Sequence, residues 1–111
     1  MRVEHHIRAF EQLLSSYDGL LPLHRHLFVY FKKNKQMGSS DRRWATRYIY
    51  SFFRLGKALN HLDNLQRLAI GDFLCHDTLS LITAQYFPDF EASISLSLDE
   101  KLTLIKNKHP K

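Results

Sequence analysis

Four basic side chains and one tyrosine recur at helical spacing between residues 43 and 57. At about 100° per residue they fall within about 40° of one line along a helix. Guanidinium groups in such a row can pair with the phosphate oxygens of a nucleic acid, and a tyrosine among them can stack on a base. The spacing predicts a phosphate-binding face, with a merely solvated face as the alternative. The face comprises Arg43, Arg47, Tyr50, Arg54 and Lys57.

The opposite side of the same predicted helix is apolar and is expected to be buried. We expect the helix to begin with a cap at Ser39 or Ser40 and to run to about Asn60. Trp44 lies at the edge of the apolar side. The residues predicted to be buried, with Gly56 in a structural role, are Ala45, Tyr48, Ile49, Phe52, Leu55, Gly56 and Leu59.

Two charged residues at the start of this helix are assigned structural roles. Asp41 falls in the first turn, where a carboxylate stabilises the positive end of the helix dipole. Arg42 points about 100° away from the basic row, at the margin of the apolar side. We expect Arg42 to pair with a carboxylate or with a carbonyl at a helix end.

Periodic apolar residues predict further helices and therefore an all-α bundle of about five to six helices. The first runs from about Arg2 to Ser16 on Val3, Ile7, Phe10, Leu14 and Tyr17, with Gly19 as its left-handed closing residue. A second helix is expected from Pro22 to about Phe31, with Leu23, Leu27, Phe28, Tyr30 and Phe31 as its apolar residues. Another is expected after Asp63, with Leu65, Leu68, Ala69 and Phe73 on one side. Two more are expected over Leu79–Phe87 and after a capping box at Ser97–Glu100.

Three lysines follow the second predicted helix. Lys32, Lys33 and Lys35 can complement the negative end of that helix, and they also extend the set of candidate RNA-binding residues.

Charge is uneven along the whole chain: residues 1–60 hold eleven Lys or Arg and four acids, a net of +7, whereas residues 61–111 hold five Lys or Arg and seven acids, a net of −2. This polarity favours a polyanionic partner such as nucleic acid, or else serves solubility.

The cysteine and histidine content argues against a disulfide framework and a metal site. Cys75 is the only cysteine among 111 residues, which favours a reducing, cytoplasmic setting, and we expect a buried thiol. Neither His5 with His6 nor His24 with His26 has the spacing that places two ligands on one helical face. We expect neither a secretory leader nor a membrane span, since His5, His6 and Arg8 interrupt the start and the apolar runs are short.

Residues 38–56 carry a resemblance to a known family. The run Asp41-Arg42, a helical stretch, the aromatic Tyr50 and then Arg54 resembles the N-terminal region of the Sun/Fmu family of bacterial RNA cytosine-5 methyltransferases, a region similar to the NusB antitermination factor. The family pattern has a glycine after the aromatic residue, where this chain has Ser51. The similarity covers about residues 1–90, and its specific part is 38–56.

The resemblance implies a NusB-like helical RNA-binding domain at 1–90 and a tail at 91–111 that leads to an absent methyltransferase domain. Such a domain positions an rRNA substrate, whereas S-adenosylmethionine and the catalytic cysteines belong to the separate domain. Cys75 matches neither catalytic motif, so we expect no catalytic residue and no activity from this chain alone. A protein-interaction module in transcription antitermination or ribosome assembly is the alternative, and exposed Phe53, Phe87 or Phe90 would favour it.

Overall fold

The computed structural model describes residues 2–109 and confirms the all-α class. This part of the chain contains no β-strand, and none of its helices is long and apolar enough to cross a membrane. The α-helices are α1 (Val3–Ser16), α2 (Leu23–Lys33), α3 (Ser39–Arg54), α4 (Asn64–Cys75), α5 (Leu81–Tyr86) and α6 (Leu98–Lys108), with a 3-10 helix at Pro88–Ser93 before α6.

The chain divides into two compact units, Met1–Tyr50 and Ser51–Lys111. This division differs from the boundary predicted at residue 90. The reason is that α6 supplies Ile105 and Lys101 to the buried part of the second unit, so residues 91–109 are not a separate tail there.

The first unit buries apolar side chains from α1, α2 and the first three turns of α3. A polar contact joins α1 to α3 within this buried set: the ring nitrogen Nδ1 of His6 lies 2.5 Å from the hydroxyl of Tyr48. The Tyr48 ring also stacks on Trp44, with 5.6 Å between centroids. The fully or nearly buried apolar residues of this unit are Phe10, Leu13, Leu27, Ala45, Tyr48 and Ile49.

The face that α1 buries differs from the predicted one. His6, Phe10 and Leu13 are buried, whereas Val3, Ile7 and Leu14 are only partly buried. Both sets have helical spacing and share Phe10, so periodicity alone could not choose between them. A histidine can take the core position because Tyr48 satisfies one of its ring nitrogens.

Helix α2 begins at Leu23, one residue after the predicted start at Pro22, and it is joined to α1 by polar side chains. The Tyr30 hydroxyl donates to Oε1 of Gln12 at 2.8 Å, and Ser16 Oγ lies 3.0 Å from Nε2 of His26. Phe28, expected among the apolar contacts of α2, is 66% exposed. Instead, the Nζ atom of Lys32 lies over the Phe28 ring, 5.9 Å from the ring centroid.

Gly19 has the predicted positive φ, which is 81°, but it lies in the turn beyond the end of α1.

The start of α3 is stabilised by Asp41 rather than by a capping serine. Because α3 begins at Ser39, both Ser39 and Ser40 lie inside its first turn, and Gly38 occupies the N-cap position. The Gly38 N–H donates to Oδ2 of Asp41 at 3.2 Å, which is the returning bond of a capping box. Asp41 thus has the predicted first-turn role.

Arg42 also has a structural contact of the predicted kind. Its Nε donates to the carbonyl of Met37 at 3.0 Å, and its guanidinium lies 5.7 Å from the centroid of Phe31. Arg42 therefore fixes the α2–α3 turn against the start of α3.

Helix α3 ends at Arg54, about six residues before the predicted end. Gly56 has a φ of 62°, the left-handed conformation that closes many helices and that glycine adopts at low cost. Arg67 of α4 stabilises the turn that follows by donating hydrogen bonds to the carbonyls of Gly56 and Ala58. Lys57 consequently lies outside α3, and the prediction that it continues the basic row of the helix is wrong.

Helix α4 is the central element of the second unit. Asp63 caps it by accepting from the Gln66 N–H at 2.8 Å, as the sequence predicts for a helix after Asp63. Every residue from Leu68 to Phe73 is buried, far more than the one apolar side expected. Helix α4 packs against α5 and α6, and Ile70 and Phe73 join Phe90 and Ile105 in one apolar cluster.

The segment after α5 places an aromatic stack in this cluster. Phe90 stacks on Phe73 with 4.2 Å between centroids and on Phe87 with 4.9 Å. Phe90 is therefore buried, which contradicts its expected role as exposed aromatic surface. The predicted capping box of α6 is present, with Ser97 and Glu100 each accepting from the other's backbone N–H.

Lys101 is a buried cation that satisfies the end of α4. Its Nζ donates to the carbonyls of Phe73 and His76, each at 2.7 Å, and its side chain is 3% exposed. These carbonyls lie at the negative end of α4, where a cation is stabilised. Burial lowers the pKa of the Lys101 amine.

Gly71 allows α4 to approach the last turn of α3 closely. A Cβ on Gly71 would lie 2.8 Å from the backbone oxygen of Ser51, which no side-chain movement can relieve. Helix propensity alone predicts that Gly71→Ala stabilises the protein by about 1 kcal/mol. We expect the clash to prevail, so that urea denaturation shows a loss of about 1 to 2 kcal/mol in the free energy of unfolding.

Gly38→Ala is the matched control for this prediction, since a Cβ there meets no atom within 4 Å. Its effect should remain below about 1 kcal/mol. Stabilisation by Gly71→Ala would contradict the proposed close approach of the two backbones.

Candidate functional site

A concave pocket of about 360 Å³ lies on the first half of α3. Its lining residues are Ser40, Arg43, Trp44 and Arg47, which successive helical turns bring to one side. Arg43 is exposed, and Arg47 is half-buried. Two guanidinium groups beside an indole ring form a surface with the chemistry to bind phosphate and a base or sugar.

The two larger side chains of this pocket hold each other in place. The Arg47 guanidinium lies over the Trp44 ring, 4.9 Å from its centroid. This cation–π contact restricts a long side chain that would otherwise lose much conformational entropy on binding a ligand. The position of one pocket cation is therefore set before a ligand arrives.

Trp44 is in turn fixed by the core of the first unit. The centroid of its ring lies 5.3 Å from that of the His6 ring and 5.6 Å from that of the Tyr48 ring. The helical pattern predicted Trp44 at the edge of the buried side of the helix, and it was not predicted as a site residue. The signal that could have found it is the three-residue spacing of Trp44 and Arg47, which places their side chains next to each other on a helix.

A second cavity in the same unit has a different charge character. It measures about 200 Å³, and its lining includes the cation Arg8 but also the acid Asp41. Tyr30 lines it as well, and burial raises the pKa of the Tyr30 hydroxyl. The mixture of charges makes this cavity less suited to a polyanion than the α3 pocket, whose described lining residues include two arginines and no acid.

The other predicted phosphate-binding residues are exposed but do not line the α3 pocket. Tyr50 is on α3 one turn beyond Arg47, and Arg54 belongs to the second unit. The three lysines lie at the end of α2 and in the turn that follows it. The residues outside the pocket are Tyr50, Arg54, Lys57, Lys32, Lys33 and Lys35.

The second unit brings together a serine, an aspartate and a histidine whose proximity could not be predicted from the sequence. Ser51 Oγ donates to Oδ1 of Asp72 at 3.1 Å and lies 3.2 Å from Nε2 of His76. That same Nε2 lies 3.8 Å from Asp72 Oδ1. A nucleophile relay places the carboxylate on the opposite ring nitrogen and exposes the serine. Ser51 is 1% exposed, so this cluster stabilises the α3–α4 contact rather than activating a nucleophile.

Within residues 2–109, no three or more His, Cys, Asp or Glu side chains lie together so that they could hold a metal ion. Cys75 is partly exposed rather than buried, because it borders a cavity on the second unit. The prediction of a buried Cys75 is therefore wrong.

Comparisons with protein-family models, with curated proteins and with solved structures give no match. The resemblance carried by Asp41, Arg42, Tyr50 and Arg54 therefore stays a prediction. The chemistry of the α3 pocket is the main basis for assigning a function.

The buried His6 that supports Trp44 predicts a pH dependence of stability. Burial lowers the pKa of His6 from its ordinary value of 6.5. Below that value the unfolded chain binds a proton that the folded protein does not, so the free energy of unfolding falls as the pH falls. We expect His6→Gln, which can still bond to Tyr48, to flatten this dependence below about pH 6.5 in urea denaturation.

His24→Gln provides the control, since His24 is an exposed histidine on α2. This variant should retain the slope of the unaltered protein. An unchanged slope in His6→Gln would show that His6 does not carry the effect.

Proposed function

We propose that this protein binds RNA through the pocket formed by Ser40, Arg43, Trp44 and Arg47. The observation that carries the proposal is the combination of two guanidinium groups and an indole ring on one exposed side of α3. Arginines bind phosphate oxygens with paired N–H donors, and a base can stack on the plane of a guanidinium such as that of Arg47, which lies over Trp44.

The distribution of charge supports a polyanionic ligand. The net charge of +7 over residues 1–60 attracts nucleic acid before contact, while the pocket determines where it docks. Ser40 lies in the first turn of α3, at the positive end of the helix dipole. Because Asp41 already stabilises this helix end, a phosphate beside Ser40 would gain its favourable charge mainly from Arg43.

The sequence resemblance extends this proposal to the parent protein. We propose that the chain is the RNA-targeting module of an S-adenosylmethionine-dependent rRNA cytosine-5 methyltransferase, positioning the rRNA for a methyltransferase domain in cis. Its support is the match at Asp41, Arg42, Tyr50 and Arg54. In this proposal S-adenosylmethionine binds to the other domain, and the present chain works in the cytoplasm as a binding surface without catalytic residues.

A protein-interaction module is the second candidate, and exposed apolar side chains favour it. Phe28 on α2 and Phe53 on α3 are both exposed, as is Leu20 in the turn after α1. Apolar surface of this kind can dock a protein partner. A pull-down that survives nuclease treatment would select this candidate over RNA binding.

Charge reversal in the pocket tests the RNA proposal. We expect the double variant Arg43→Glu, Arg47→Glu to bind a labelled rRNA hairpin about 100-fold more weakly or worse, measured by fluorescence anisotropy at moderate salt. The slope of log affinity against log salt should fall by about two, because two phosphate contacts are lost. Trp44 is the only tryptophan, so its fluorescence should also respond to RNA in the unaltered protein.

Lys106→Glu, Lys108→Glu is the matched control, because it makes the same change in net charge on α6. Its affinity should fall far less. Circular dichroism checks that both variants remain helical. Equal losses in the two double variants would mean that net charge alone drives binding and that the α3 pocket has no special part in it.

A further inference from the structure

A cavity of about 570 Å³ opens on the second unit and is lined almost entirely by apolar side chains. Its walls come from the end of α3, from α4 and from α6. The lining residues are Arg54, Leu55, Gly71, Leu74, Cys75, Leu98 and Leu102. The volume is in the range of pockets that hold small organic molecules, about 300 to 1,000 Å³.

Two leucines leave the apolar wall of this cavity open to solvent. Leu98 is 56% exposed and Leu102 is 37% exposed, and both lie on α6. When a ligand covers exposed apolar surface beside a cavity, the removal of that surface from water makes binding more favourable. The wall therefore favours an alkyl or similarly apolar group.

Arg54 is the one charged residue among the described residues that line this cavity. It ends α3 and is exposed. A guanidinium at the edge of an apolar cavity binds a carboxylate through paired N–H donors, while the cavity takes the apolar part of the same molecule. The polar group of the ligand must be anionic, because a cation or an uncharged group would gain nothing comparable from Arg54.

We propose that this cavity binds an amphiphilic carboxylate, with its alkyl chain against the leucines of α4 and α6 and its carboxylate on Arg54. The site is separate from the α3 pocket and does not depend on RNA binding.

Cys75 makes the proposal testable with a reporter that the chain already contains. It is the only cysteine, it is partly exposed, and it lines the cavity. A ligand in the cavity should therefore shield its thiol from N-ethylmaleimide. Decanoate is the probe, acetate lacks the alkyl chain, and decanol and decylamine lack the negative charge.

We expect decanoate to slow the labelling of Cys75 at least about fivefold, with saturation at one molecule per chain by calorimetry. Acetate should give no protection, and decanol and decylamine should protect only at much higher concentration. Arg54→Gln should weaken decanoate binding about tenfold, whereas Lys106→Gln, which removes an exposed cation of α6 outside the cavity, should not.

A second variant tests the cavity itself without relying on Arg54. Leu98→Trp places a bulkier side chain at a partly exposed lining position and should abolish the calorimetric signal, while circular dichroism is expected to stay unchanged. The proposal is overturned if decanoate gives no protection, if decanol protects equally well, or if Arg54→Gln binds like the unaltered protein. Filling of the cavity by a second copy, seen as a dimer in sedimentation that decanoate leaves intact, would overturn it as well.

Discussion

The division of α3 into a buried side and an exposed basic side is the constraint on which the first unit depends. Tyr48 and Ile49 are fully buried, while Arg43, less than two turns away, is exposed. The contact between His6 and Tyr48 fixes the orientation of α3 against α1, because a buried ring nitrogen left without a partner costs about 1 to 3 kcal/mol. The same contact supports Trp44, so the geometry of the candidate site follows from the packing of the core.

The second unit depends on a different constraint, the close approach of backbones at Gly71. With no side chain there, α4 lies against the last turn of α3 and buries almost its entire circumference. Polar groups inside this unit are then satisfied locally, Asp72 by Ser51 and the end of α4 by Lys101. The open leucines of α6 remain as apolar surface beside the cavity.

Local signals in the sequence predicted much of this structure. The start of α4 after Asp63, the cap at Ser97, the start of α2 near Pro22 and the roles of Asp41 and Arg42 follow from interactions within a few residues. Long-range contacts could not be predicted in the same way. The burial of His6 requires Tyr48, the burial of Lys101 requires the carbonyls at the end of α4, and Gly71 matters only because Ser51 lies against it.

The candidate site was predicted in part for the same reason. Arg43 and Arg47 follow from helical spacing, whereas Trp44 takes its place through contacts with His6 and Tyr48 that lie far apart in sequence. The predicted row was too long, because Gly56 adopts a left-handed conformation and ends the helix before Lys57. From the sequence alone, Gly56 is compatible both with a continuing helix and with the end of one.

The most direct test of the central claim is an NMR titration of the isotope-labelled protein with an rRNA hairpin. RNA docking on the α3 pocket predicts that the largest amide shifts fall within residues 39–47 and that the indole N–H of Trp44 shifts with them. Shifts concentrated at the lysines of residues 32–35 or on α6, with residues 39–47 unchanged, would contradict the account.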